Sequence, residues 1–127
     1  MSYASIQSTV DLYTQREAQL TNHLSDILNS VALATRQSGT LADKASTSRR
    51  AVMAEYDKDD DEYKPAMDEI QNEYQDNLAH ISSWESELEI QKEEMETEIQ
   101  ATSTYKESLL AALKQNVQKD SKYGGSQ

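Results

Sequence analysis

Apolar residues recur along the first half of the chain at alternating steps of four and three. The positions are Ile6, Val10, Tyr13, Glu17, Leu20, Leu24, Ile27, Val31, Ala34, Ser38, Leu41, Ala45, Ser48 and Val52, and only Glu17, Ser38 and Ser48 among them are clearly polar. A repeat of 3.5 residues sustained over about six heptads makes a helix bury one narrow seam against another helix. The pattern predicts helix over about residues 4–56. Gly39, within QSGT, is the weak point, because glycine costs a helix about 1 kcal/mol relative to alanine. A break there would give helices at 4–37 and 40–56, and the second piece would be free to fold back as a third helix.

The second half repeats the spacing. Met67 is followed by Tyr74, Leu78, Ile81, Glu85, Leu88, Lys92, Met95, Ile99, Thr102, Lys106, Leu109 and Leu113, which predicts helix over about 66–119. Between the two lies YDKDDDEYKP. Its aspartates are poor helix formers, and proline disfavours helix in the residue before it. An acidic turn is expected at about 57–65, with Pro65 in the first turn of the second helix, where a missing N–H does no harm. The ending KYGGSQ is expected to leave the helix as a flexible tail over 120–127. The expected fold is therefore all-α, an elongated antiparallel coiled-coil hairpin in a single domain, about 75 Å long if the first helix is continuous.

Charge offers a second view of the pairing. A hairpin folding near residue 61 would set Arg16 opposite Glu107, Arg36 opposite Glu85, Lys44 opposite Asp76, Arg49 opposite Glu73 and Asp11 near Lys114. Glu17 would meet Lys106, so that the two charged interruptions of the seam neutralise each other. Toward the open end the apolar stripe is wider than one partner helix needs. Leu12, Tyr105, Leu110, Ala112 and Val117 accompany the seam leucines Leu109 and Leu113. Each large apolar side chain removed from water contributes roughly 1.5–3 kcal/mol. Self-association through the terminal helices follows as an expectation, carried by Ile6, Val10, Leu12, Tyr13, Tyr105, Leu109, Leu110, Leu113 and Val117.

Composition narrows the function further. The 127 residues include no Cys, no Phe, three Gly and one Pro, with a net charge of -11. Lacking cysteine, the chain has no disulfides, thiolate metal sites or thiol nucleophiles. Residues 1–54 hold five basic and four acidic side chains, residues 55–98 three and seventeen, and residues 99–127 four and two. Such a field disfavours nucleic acid and anionic lipid, since only Arg49 with Arg50 forms a basic pair. No apolar run is long enough to insert into a bilayer, and MSYASIQSTV lacks the features of a cleavable signal. The chain is expected to be made soluble, to remain in the cytoplasm or leave it without a classical signal.

Three candidate chemistries can be weighed. Asp57, Asp59, Asp61 and Asp68 have the one-three-five-twelve spacing of an EF-hand calcium loop, but Glu62 replaces the turn glycine and Pro65 occupies the ninth place. That spacing keeps a calcium-responsive protein as an outside alternative. Seven glutamates between Glu85 and Glu98 lack the Glu-x-x-His partner of a dimetal site and read as a solvated face. His23 and His80 are isolated, and Trp84 serves equally as a cover for the seam or an interface anchor. With no phosphate loop or nucleophile constellation, no catalytic residue and no cofactor are expected.

The uncharged Ser/Thr/Gln-rich start, the absence of Cys and the amphipathic terminal helices around a polar middle resemble the helical filament and needle subunits of type III secretion, which implies terminal helices lining an assembly core. The segments YTQREAQLTNHLSDILNSVALAT and LEIQKEEMETEIQATSTYKESLLAALKQNVQKDSKYG are similar to those of short bacterial coiled-coil proteins. Small type VII secreted hairpins carry Trp-x-Gly in the turn. Here Trp84 is followed by Glu85 and Ser86 inside a predicted helix. Prefoldin-like subunits need β-hairpins that YDKDDDEYKP cannot supply. A self-assembling structural subunit is the expected function, with a small coiled-coil adaptor or secretion chaperone for another helical protein as the alternative.

Overall fold

The computed structural model describes residues 2–125, with side chains described for 2–119. It is an all-α hairpin of two helices packed against each other, α1 at Tyr3–Glu55 and α2 at Tyr63–Gly125, with no strand among the described residues. Ser2 starts α1 by accepting the Ser5 N–H on its Oγ at 3.2 Å and the Ile6 N–H on its carbonyl at 3.0 Å. The first contact satisfies one of the amide groups that a helix start leaves without partners, and the second is the first intrahelical bond of α1.

The helix does not break at Gly39. It runs through without a positive φ, and an added Cβ at this position would meet nothing within 4 Å. On either side the seam residues Ala34 and Leu41 are buried and half-buried, so their packing outweighs the local cost of glycine. The Thr40 hydroxyl also donates back to the Arg36 carbonyl at 3.0 Å. A third helix folding back from residue 40 is thereby excluded. Gly39→Ala is expected to stabilise the protein by about 0.5–1 kcal/mol, because the helix is kept and the unfolded chain loses freedom. A thermal melt should show a rise of roughly 2–6 °C, and a fall would mean that the site needs glycine.

The turn is shorter than the sequence suggests. Helix α2 begins at Tyr63, three residues before the expected start, because Asp60 caps it. Asp60 Oδ1 accepts the Glu62 N–H at 2.9 Å and the Asp60 carbonyl accepts the Tyr63 N–H at 3.1 Å. Pro65 becomes the third helical residue, still within the first turn where no intrahelical donor is required. The chain therefore folds about Asp59 instead of residue 61. In the turn, the negative charge of Glu55, and then that of Glu62, raises the Tyr56 hydroxyl above its ordinary value of 10.0. At the other end α2 continues to Gly125, through residues expected to leave the helix. Ser126 and Gln127 lie outside the described residues.

Two units make up the chain, one of Met1–Asp26 with Gln91–Gln127, the other of Ile27–Ile90. In the first, Ile6, Val10 and Leu20 are buried; in the second, Ile27, Ala34, Ala45, Ile81 and Leu88. All of these are seam positions. Each of the fourteen seam residues of α1 and the thirteen of α2 is buried or half-buried, so the four-three spacing identifies the packed face throughout. No described helix is long and apolar enough to cross a membrane.

Candidate interaction surface

The folding point decides which residues meet. In the turn unit a shallow groove is lined by Leu41, Ala45 and Ser48 on α1 and by Ile70, Tyr74 and Asn77 on α2. In the terminal unit the rings of Tyr13 and Tyr105 lie 5.4 Å apart, tilted by 35°. These pairings are displaced by roughly one helical turn from those expected of a fold at residue 61. The charge pairs change accordingly.

Arg16 donates to Glu98 Oε2 at 3.3 Å in place of Glu107. Arg16 and Glu98 each precede a seam residue, Glu17 and Ile99, and in an antiparallel pair such positions share one flank. Glu107 follows the seam residue Lys106 and turns to the back of the helix. Arg49 donates to Gln71 Oε1 at 3.0 Å and lies over the Tyr74 ring at 5.9 Å, so it does not seek Glu73. Glu85 accepts from Ser38 Oγ at 3.4 Å, not from Arg36. Among the described residues the expected pairs of Lys44 with Asp76 and Asp11 with Lys114 do not form.

The sixth pair does form. Lys106 Nζ stands 3.8 Å from Glu17 Oε1, with about a quarter of each side chain exposed. That oxygen is buried and accepts no hydrogen bond, so the contact is Coulombic and leaves a polar layer incompletely satisfied between Tyr13 and Leu20. Such a layer restricts register more than it stabilises. Lys106→Leu alone should destabilise, since it leaves the Glu17 carboxylate against apolar neighbours. The double variant Glu17→Leu/Lys106→Leu should recover that loss and exceed the parent by about 1 kcal/mol. Urea denaturation of the three proteins checks this, and a double variant less stable than Lys106→Leu would contradict it.

The residues expected to bind other molecules fall into three groups. Ile6 at 2% and Val10 at 5% exposure are occupied by the seam of their own hairpin; they are not available as assembly contacts. Alternation in sequence marks a buried face without saying whether the partner is the same chain or another. Tyr13, Leu109 and Leu113 are half-buried by that seam. Leu12 at 66%, Tyr105 at 60%, Val117 at 47% and Leu110 at 42% exposure remain open. Tyr3 joins them at 50% exposure, although its place one heptad before Val10 continues the seam spacing.

The calcium-loop candidates do not assemble. Asp57, Asp59 and Asp61 are exposed in the turn and Asp68 is exposed on α2, and no group of three or more potential metal ligands exists among the described residues. The carboxylate with a structural role here is Asp60, which lies outside the one-three-five spacing. His23 and His80 are exposed, and Trp84 is half-buried beside the seam. Compared with family models, curated proteins and solved structures, the chain matches none of them.

Proposed function

We propose that this protein is a structural subunit that assembles with copies of itself, in the manner of a filament or needle component, through the unit built from its two termini. One observation carries the reading. Leu12, Tyr105, Leu110 and Val117 stay exposed in the unit that holds nine acidic and six basic residues, net -3, while the other unit holds fourteen and six, net -8. Leu28, Leu33, Met53 and Ile90 are exposed in the other unit as well, so it is the lower net charge of the terminal unit that favours contact between copies there.

Light scattering and electron microscopy of the purified protein test the proposal. The parent should form large ordered particles. Leu12→Asp/Leu110→Asp should remain small with unchanged helical circular dichroism, because neither side chain contributes to the buried seam. Charges at Leu109 or Leu113 would confuse the result by opening the hairpin itself. A parent that stays monomeric at high concentration contradicts self-assembly and leaves a helical adaptor as the function.

A further inference from the structure

A second stripe with four-three spacing runs along the outer flank of α2, formed by Ser103, Glu107, Leu110, Lys114 and Val117. Glu107, Leu110, Lys114 and Val117 are exposed and Ser103 is half-buried. The stripe is separate from the hairpin seam, which uses Thr102, Lys106, Leu109 and Leu113. Its helical spacing is the same, so its residues share one face of α2. Among the described residues neither Glu107 nor Lys114 has an ion-pair partner.

The order of residues in this stripe is self-complementary when two copies run antiparallel. Leu110 lies at its centre, with an acid three positions before it and a base four positions after. Under a two-fold axis passing beside Leu110, the leucines of two copies meet. Glu107 of each copy lies beside Lys114 of the other, and Ser103 lies against Val117. The same patch serves both partners, as an isologous contact requires. A parallel arrangement would instead place glutamate by glutamate and lysine by lysine. Complementary charge excludes that alternative more strongly than apolar burial selects the right one.

We infer that the partner of this flank is a second copy of the chain, bound antiparallel through Ser103, Glu107, Leu110, Lys114 and Val117 as a two-fold dimer. This rests on the self-assembly reading and gives it a first step. The dimer closes on itself at this flank, and the Leu12 and Tyr105 side chains on the opposite flank are left for further growth.

Charge exchange tests the pairing by sedimentation velocity on the full chain. Glu107→Lys and Lys114→Glu should each weaken dimerisation at least roughly tenfold, since each places like charges together twice across the axis. An equimolar mixture of the two variants should recover association as a heterodimer, and the double exchange Glu107→Lys/Lys114→Glu should recover it alone. Circular dichroism should be unchanged in all of them. Single variants that associate as the parent does, or a mixture and double exchange that fail to recover, would overturn this geometry while self-assembly stands. A monomeric parent would overturn both.

Discussion

Leu88→Ala is expected to destabilise the protein by about 2–4 kcal/mol, the largest effect of any single truncation considered. Leu88 is 5% exposed and is one of only eight buried apolar residues among those described, two of which are alanines. A seam one side chain wide has no second layer behind it to settle into the space, so the lost transfer energy and the cavity term both persist. Domains of this size are stable by only about 5–15 kcal/mol, and the loss is a large share of that. Urea titration should show a lower midpoint with an unchanged slope. Exposed Leu33→Ala serves as the control and should cost less than about 1 kcal/mol. A cost below that limit for Leu88 would mean that the two helices are not held by this seam.

The second large effect runs in the opposite direction of size. Ala34 is 0% exposed, at a seam position where neighbouring layers present Ile27 and Leu41. Three added carbons in Ala34→Leu must push the helices apart or force off-rotamer side chains, at a cost of about 1–3 kcal/mol. Hydrophobic burial considered alone predicts the reverse sign, since leucine has more apolar area to bury. Ala32→Leu, two residues away on the exposed side, separates the two effects. Leucine has nearly the helix propensity of alanine, so that variant should be close to neutral. Thermal melts of the pair decide the matter, and a stabilised Ala34→Leu would show that the seam is loosely packed at this layer.

Helix identity and the packed face are properties of local spacing, and both were legible. Residues at steps of four and three lie on one face of any helix, so Ile6 to Val52 and Tyr74 to Leu113 could be assigned to the seam before any partner was known. The turn was placed by its aspartates and Pro65 but not to the residue. Asp60 cannot be distinguished from Asp59 or Asp61 by composition, and which carboxylate caps α2 depends on the backbone conformation it meets. Gly39 misled in the same way. Its intrinsic cost is local, while the packing of Ala34, Leu41 and their partners on α2 is not.

The electrostatic pairs were the least legible part of the surface. An error of two residues in the folding point displaces every facing pair by about a turn, and the flank on which a charge stands then matters more than its distance along the helix. Arg16 consequently meets Glu98, and Glu17 with Lys106 survives because long side chains reach across neighbouring layers. Apolar periodicity also could not distinguish surface already used within the hairpin from surface left over. Ile6 and Val10 belong to the first kind, Leu12 and Leu110 to the second.

The order of apolar and polar residues was sufficient to establish two long helices, an acidic turn and a single seam, since each depends on residues within a few positions of one another. Register, the continuity of α1 through Gly39, and the division between spent and open apolar surface required the folded chain. Those features arise from contacts between residues tens of positions apart, where packing energies summed along both helices override the preference of any one residue.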